Sequence, residues 1–119
     1  MVVRYFWAVI DFVIILMFVA IGRTTHDHGV SLAGLTSTTW PFAVGWLIAT
    51  VILVATGRSG KSVEGGLLVW LSTVVVGMLL RVVAGQGIAL AFVIVALGFL
   101  GALMLGWRFL WRVTQRRRA

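Results

Sequence analysis

Four long apolar runs, separated by short polar segments, make up most of the chain. The runs cover residues 5–22, 40–56, 66–84 and 88–107. Each run is close to the ~20 residues that an α-helix needs to cross the hydrocarbon core of a bilayer. Because lipid offers no hydrogen-bond partners to a free backbone, such runs cross as helices. The pattern predicts an all-α integral membrane protein, in which residues 1–119 form a single domain, a bundle of four transmembrane helices.

Polar residues and helix breakers indicate where the predicted helices begin and end. The longest polar connection runs from Arg23 to Thr39 and is predicted to be a loop. Thr39 is a favourable capping residue, and Pro41 suits a first helical turn, where its missing N–H costs nothing. The second helix is therefore predicted to begin at Trp40. The sequence Gly85-Gln86-Gly87 predicts a tight turn before the fourth helix.

The overall composition supports a membrane protein. Hydrophobic residues make up 61% of the 119 positions and charged residues only 11%, less than half of the share in a typical soluble domain. The sequence contains no cysteine, which excludes disulfides, thiolate metal ligands and thiol catalysis. The first run follows Arg4 and ends in Ala20-Ile21-Gly22, as a signal peptide would, but its length and the acid within it favour a retained helix.

The basic residues are distributed unequally between the two ends of the predicted helices. Four spans give one side of the membrane only Arg23 and Arg81, and give the other side eight basic residues. These eight are Arg4, Arg58, Lys61, Arg108, Arg112, Arg116, Arg117 and Arg118. The positive-inside rule therefore predicts a multi-pass protein of the cell membrane with both termini in the cytoplasm. The expected partner of the basic residues is the anionic headgroups of the bilayer, not nucleic acid.

Asp11 lies inside the first apolar run, where a carboxyl needs a proton, water or a partner. Counting about 1.5 Å per residue from the helix ends places Thr50 and Thr73 at a similar depth and Arg108 within reach. We expect Asp11 to face inward, to form a hydrogen bond with Thr50 or Thr73, and to have Arg108 as a candidate ion-pair partner. Three interpretations are open: a structural contact that fixes helix packing, a carboxyl that handles protons or cations, and a contact with a partner helix.

A second polar cluster is predicted at the outer face, from Arg23, His26 and Arg81. Two guanidinium groups can bind a carboxylate or a phosphate, although arginines at such positions also simply extend toward lipid headgroups. His26 and His28 supply only two metal ligands, so no metal site is predicted. Their position outside the apolar runs argues against a haem held inside the bundle, and no cofactor is expected.

The loop that ends in Gly60-Lys61-Ser62 is similar to a phosphate-binding loop. The full pattern requires a glycine where this chain has Ala55, and a strand before the loop. Nucleotide binding is therefore not predicted. Since no Ser–His–Asp arrangement falls within one accessible region, no catalytic residue is assigned and the protein is not expected to be an enzyme.

Small residues recur every four positions in the fourth apolar run. Gly98, Ala102 and Gly106 therefore share one face of the predicted helix. Such a stripe allows the backbone of another membrane helix to approach closely. We expect this face to take part in helix packing.

Short motifs in a particular order point to a family. They are Asp11 in the first run, Gly22-Arg23 with His26, Trp40-Pro41-Phe42 with Gly45-Trp46, Thr73 with Gly77-Met78-Leu79-Leu80-Arg81, Phe92-Val93, and Gly106-Trp107-Arg108. From about Ala8 to Arg112 the chain resembles the small four-helix prokaryotic membrane proteins of the domain-of-unknown-function family DUF3054. The resemblance implies an integral membrane protein and assigns no activity. It draws attention to the family-pattern positions Asp11, Arg23, Trp40, Arg81 and Arg108.

The small multidrug-resistance transporters offer a weaker comparison. They also have about this length, four spans and one carboxyl in the first span. Their binding site needs one such carboxyl from each subunit of an antiparallel dimer. The unequal charge distribution of this chain disfavours an inverted subunit.

Two functions are compatible with these features. The preferred one is a non-enzymatic accessory or scaffold subunit of a larger membrane complex, because the connections are short, no soluble domain is predicted and a small-residue stripe is present. The alternative is a small proton-coupled transporter or channel. In that case Asp11 would exchange protons, Arg23 and Arg81 would lie at the outer mouth, and the chain would form a parallel homo-oligomer.

Overall fold

The computed structural model describes residues 2–25 and 31–118. In these residues the chain forms a short 3-10 helix, Val2–Tyr5, and four α-helices, namely α1 (Phe6–Thr25), α2 (Leu32–Ala55), α3 (Val63–Val83) and α4 (Leu90–Arg118). By length and composition, all four α-helices are suited to crossing a membrane. For the described part of the chain, the predicted all-α class is confirmed, and the apolar helices indicate a multi-pass membrane protein.

The α-helices form an elongated bundle of 47 × 27 × 27 Å. Each helix packs against the next along the chain, and α1 and α4 close the ring. The contact between α2 and α3 is the most extensive, and the contact between α1 and α4 is the smallest of those between two α-helices. We call the end that holds Tyr5, the 57–62 loop and Arg112 the terminal end, and the end that holds Arg23, Ser31 and Gln86 the distal end.

Hydrogen bonds from side chains to backbone carbonyls join neighbouring helices. Trp46 Nε1 on α2 donates to the Ala8 carbonyl on α1 at 3.0 Å, and Ser72 Oγ on α3 donates to the Gly45 carbonyl on α2 at 2.7 Å. A Cβ at Gly45 would overlap the backbone of Ser72 and Thr73, so glycine lets α2 and α3 approach closely. Close packing and interhelical hydrogen bonds hold membrane helices together, because burial from lipid supplies no hydrophobic driving force.

Four phenylalanines fill the distal half of the bundle. Phe18 of α1 has its ring centroid 5.8 Å from that of Phe42 on α2, and 5.8 Å and 5.6 Å from those of Phe92 and Phe99 on α4. The Phe18 and Phe42 rings meet edge to face at 88°, a geometry that aromatic pairs favour. A Cβ at Gly77 would overlap the Phe42 ring, so this glycine makes the cluster fit between α2 and α3.

The second helix begins earlier than the sequence suggests. The prediction of a loop over residues 23–39 with a helix start at Trp40 is wrong for residues 23–25, which end α1, and for residues 32–39, which form the first turns of α2. Ser31 is the capping residue, since its Oγ accepts the Gly34 N–H at 3.0 Å. Polar residues fit these turns because their hydroxyls bond back to the helix, as Thr36 does to the carbonyl of Leu32 at 2.8 Å.

Pro41 consequently lies inside α2 and not in its first turn. A proline has no N–H for the carbonyl four residues earlier, which here belongs to Ser37. The side chain of Gln86 takes the place of this donor, with Nε2 at 3.0 Å from the Ser37 oxygen. The predicted turn around Gln86 is confirmed, and its two glycines, Gly85 and Gly87, have φ angles of 75° and 78°.

The fourth helix continues well past the predicted span. It has 29 residues and ends at Arg118, so the basic residues from Arg108 onward belong to α4 and do not form a separate tail. At about 1.5 Å per residue its length is roughly 43 Å, which exceeds the ~30 Å hydrocarbon core. A helix satisfies its own backbone outside lipid as well as inside, so α4 does not end where the apolar run ends.

The small-residue stripe of α4 does not pack within the bundle. A Cβ at Gly98 or Gly106 would meet no neighbouring atom within 4 Å, and Ala102 is exposed. The face that α4 turns inward includes Met104 and Arg108, both 0% exposed. Among the described helices, close backbone approach occurs on α2 instead of on this stripe.

Candidate functional site

A buried ion pair joins the first and last helices near the terminal end. The side chains of Asp11 on α1 and Arg108 on α4 are both 0% exposed. Arg108 Nη2 donates to Asp11 Oδ2 at 2.5 Å, and Arg108 Nη1 donates to Asp11 Oδ1 at 2.8 Å. The two bonds run side by side, which is the arrangement that matches a planar guanidinium to a carboxylate.

The remaining polar atoms around this pair are also engaged. Arg108 Nε donates to the Gly60 carbonyl at 2.8 Å, and Arg108 Nη1 also donates to the Met104 carbonyl at 2.9 Å. Trp107 Nε1 donates to Asp11 Oδ1 at 3.0 Å, and its ring centroid lies 4.6 Å from the guanidinium carbon. A buried ion pair is tolerated when further hydrogen bonds satisfy its charged groups, and this pair meets that condition.

Two glycines allow close packing around the ion pair. A Cβ at Gly66, in the first turn of α3, would overlap the Arg108 side chain at Cδ. A Cβ at Gly60 would overlap the indole of Trp7, which is 3% exposed and lies against the loop. The arginine therefore ties α1, α4 and the 57–62 loop together in a closely packed site.

Neither Thr50 nor Thr73 forms a hydrogen bond with Asp11, so the prediction that one of them bonds to its carboxyl is wrong. Thr50 Oγ1 donates to the carbonyl of Trp46 in its own helix at 2.8 Å. Thr73 is 0% exposed, and its hydroxyl has no hydrogen-bond partner within residues 2–25 and 31–118. Equal depth in the membrane does not fix the rotation of a helix about its axis, and Asp11 faces α4 rather than these hydroxyls.

The two predicted outer arginines lie together at the distal end. Both line an apolar cleft of about 390 Å³, which we call the distal cleft and which is lined by Phe18, Val19, Gly22, Arg23, Thr38, Arg81, Ala89, Ala91, Phe92 and Val95. Arg23 Nη1 donates to Thr38 Oγ1 at 3.1 Å. His26, the third member of the predicted cluster, lies outside the described residues.

Arg81 is held by groups that carry no charge. Its Nε donates to the Gly87 carbonyl at 3.2 Å, and its Nη1 donates to Gln86 Oε1 at 3.0 Å. The guanidinium carbon lies 4.5 Å from the ring centroid of Phe92, within the range of a cation–π interaction. The 85–87 turn and the Phe92 ring thus position the Arg81 guanidinium at the rim of the distal cleft.

A smaller cavity at the terminal end has a polar lining. It measures about 240 Å³, and Arg4, Arg58 and Lys61 are among its lining residues. The Lys61 amine lies 5.9 Å from the ring centroids of both Phe6 and Trp111, so its charge sits among aromatic side chains. Within the described ranges, no three His, Cys, Asp or Glu residues come together in a way that could hold a metal ion.

The sequence analysis missed Trp107, Gly60 and Gly66 as members of the ion-pair site. A tryptophan beside an arginine in an apolar run is a usable signal for Trp107, because its N–H needs an acceptor when buried. The two glycines carry no such signal. Their role depends on which side chain crosses over them, and that is decided by helix packing.

A comparison with known protein families matches most of the chain. The family described as "Protein of unknown function (DUF3054)" matches residues 8–111. No curated protein and no solved structure matches the chain. The matched range contains both residues that donate hydrogen bonds to the Asp11 carboxylate, Trp107 and Arg108, as well as both arginines of the distal cleft.

Proposed function

The chain belongs to the DUF3054 family of proteins of unknown function, and we propose that it is a non-enzymatic accessory or scaffold subunit of a larger complex in the cell membrane. Its apolar helices are the contact surface for partner subunits, and its short connections contribute no separate domain. Both termini lie in the cytoplasm, because eight basic residues belong to the terminal end and two, Arg23 and Arg81, to the distal end.

The outward stripe of small residues on α4 carries this proposal. A Cβ at Gly98 or Gly106 would meet no neighbouring atom within 4 Å and Ala102 is exposed, whereas Gly45 on α2 is covered by α3. In a membrane, small residues allow two helices to approach until their backbones meet. An unused stripe of this kind supports contact with a helix of another subunit.

The closed ion pair supports a structural role for Asp11 over a transporting one. The carboxylate accepts three hydrogen bonds from Arg108 and Trp107 in a site with no exposed surface. A carboxyl that exchanges protons during transport needs access to water and a change of partners. The alternative function, a proton-coupled transporter based on Asp11, therefore receives less support.

The direct test is purification of the tagged full chain from its native membrane in a mild detergent, followed by mass spectrometry of the retained proteins. We expect one partner in fixed stoichiometry. Recovery of the chain as a lone species, or only as a homo-oligomer, would contradict the accessory role.

Two variants test the contact face. Ala102→Phe places a bulky side chain in the stripe, and Val51→Phe places the same side chain on the exposed face of α2, where Val51 is 56% exposed. We expect the partner to be lost from Ala102→Phe and retained by Val51→Phe. Equal retention by the two variants would show that the partner binds elsewhere.

The transporter alternative has its own measurement. Vesicles that contain the purified protein and a trapped pH-sensitive dye should show the same proton flux as protein-free vesicles after a pH step. A faster flux that disappears in Asp11→Asn would favour the transporter.

A further inference from the structure

The distal cleft combines an apolar interior with two cations at its rim. Phe18, Val19 and Phe92 form apolar parts of the wall, while Arg23 and Arg81 line the same cavity from α1 and α3. Its volume of about 390 Å³ lies within the range of natural small-molecule sites. An apolar interior with a cationic rim matches a ligand that has an anionic head and a hydrocarbon chain.

Arg81 retains binding capacity for an anion. Of the five guanidinium N–H groups, one at Nε and one at Nη1 are used, and their acceptors are the neutral oxygens of Gly87 and Gln86. The other three have no acceptor among the described residues, where Asp11–Arg108 is the single ion pair. Arg81 therefore holds an oriented positive charge that no described carboxylate neutralises.

Arg23 brings a second positive charge to the cleft. Its Nη1 donates to Thr38 Oγ1 on α2 at 3.1 Å. A Cβ at Gly34 would overlap the guanidinium, so the absence of a side chain at this position lets Arg23 lie across the first turns of α2. The two arginines line the cleft from different helices, α1 and α3.

The beginning of α4 adds a further favourable field. Val93 N donates to the Ala89 carbonyl at 3.1 Å, so the N–H groups of the residues just before Val93 lack a carbonyl partner within the helix. Ala89 and Ala91, at this helix end, line the cleft. The positive end of the helix dipole thus lies on the same side as the arginines and favours an anion.

The cleft is open toward the lipid. Ala91 and Val95 line it and are also exposed on the outside of α4. It lies between α1 and α4, the pair of α-helices with the smallest contact. A lipid chain can therefore enter from the side without leaving the bilayer.

We infer that the distal cleft binds one anionic phospholipid, with its phosphate at Arg81 and one acyl chain in the apolar part. This site is separate from the proposed subunit contact, since the stripe of Gly98, Ala102 and Gly106 does not line the cleft. The bound lipid would fill the gap between α1 and α4 at the distal end, opposite the ion pair that closes the same gap at the terminal end.

The test uses the full chain in nanodiscs that contain equal amounts of phosphatidylglycerol and phosphatidylcholine. After gentle transfer to detergent, native mass spectrometry counts the lipids that remain bound to each chain. We expect one retained phosphatidylglycerol and no retained phosphatidylcholine. Equal retention of the two lipids would overturn the inference, because lipids that merely surround the helices are not selected by a charged site.

Three variants locate the retained lipid. Arg81→Gln removes the charge and should lower phosphatidylglycerol affinity at least about tenfold, since a hydrogen bond between charged groups is lost. Arg112→Gln is the matched control, as Arg112 is an exposed arginine at the other end of α4, and should leave retention unchanged. Ala91→Phe fills the cleft without changing any charge and should also release the lipid.

Equal retention by Arg81→Gln and Arg112→Gln would overturn the inference, as would unchanged retention by Ala91→Phe. An excess of inorganic phosphate distinguishes a lipid site from a site for a free anion. Phosphate should not displace the lipid, because it cannot replace the acyl chain. Displacement by phosphate would assign the arginines to a soluble anion and overturn the lipid site.

Discussion

Asp11 and Arg108 are separated by 97 positions in the sequence and share two hydrogen bonds in a fully buried site. They connect α1 with α4, the two α-helices that have the smallest contact in the bundle. Arg108 also bonds to the carbonyl of Gly60, so the loop between α2 and α3 is held by the same guanidinium. The pair therefore closes the ring of helices at its terminal end.

Removal of either member of the pair should destabilise the protein strongly. We expect Asp11→Ala or Arg108→Ala to lower the free energy of unfolding by about 3–5 kcal/mol, because each leaves an uncompensated buried charge. The double variant Asp11→Ala with Arg108→Ala should cost less than the sum of the two single substitutions. Unfolding in mixed detergent micelles gives these values, and additive effects would show that the two residues do not interact.

Removal of the Thr73 hydroxyl should stabilise the protein. Its buried hydroxyl has no partner among the described residues, so Thr73→Val removes an unsatisfied polar group while keeping the shape of the side chain. We expect the free energy of unfolding to rise by about 1 kcal/mol. Thr50→Val is the control, and because Thr50 bonds within its own helix it should change stability by less than about 0.5 kcal/mol. A loss of stability in Thr73→Val would indicate a hydrogen bond to this hydroxyl.

Two glycine-to-alanine substitutions in helices should have effects of opposite sign. A Cβ at Gly66 would overlap Arg108, so Gly66→Ala should destabilise by about 1–3 kcal/mol through forced movement of a packed side chain. A Cβ at Gly106 meets nothing, so Gly106→Ala should stabilise the purified protein by about 0.5–1 kcal/mol through higher helix propensity. Thermal unfolding in detergent measures both. Similar shifts in the two variants would contradict the assigned path of the arginine.

The contribution of the Gln86 side chain to stability should depend on the presence of Pro41. Gln86→Leu removes the donor to the Ser37 carbonyl and should cost about 1 kcal/mol or more in the native background. In a Pro41→Ala background the alanine N–H can reach that carbonyl, so the same substitution should cost less. A double-mutant cycle measures the difference, and equal costs in the two backgrounds would show that Gln86 does not replace the missing donor.

The orientation of the bundle can be tested with single cysteines, because the chain has none of its own. Ser31→Cys lies at the distal end and Gln115→Cys near the end of α4, and both native residues are exposed. In intact cells a membrane-impermeant thiol reagent should label position 31 and leave position 115 unlabelled. The reverse labelling pattern would place both termini outside the cytoplasm.

The approximate positions of the apolar helices follow from the sequence, because transfer of a segment into lipid depends on its own composition and length. The turn at Gln86 also follows from nearby residues, since the two glycines with positive φ that flank Gln86 determine it. The start of α2 was predicted too late, because the hydroxyl residues of its first turns satisfy their hydrogen bonds within the helix, and no local pattern around Trp40 shows this.

The sequence alone also identified Asp11 as a buried acid that needs a partner, since a lone carboxyl is costly in lipid wherever its helix points. Only the tertiary structure decided that Arg108 and Trp107 are its partners and that Thr50 and Thr73 are not. It likewise decided that the stripe on α4 faces away from the bundle, since a Cβ at Gly98 or Gly106 would meet no neighbouring atom and Ala102 is exposed. Depth in the membrane is set by each helix separately, whereas rotation about the helix axis is set by the packing of all four helices together.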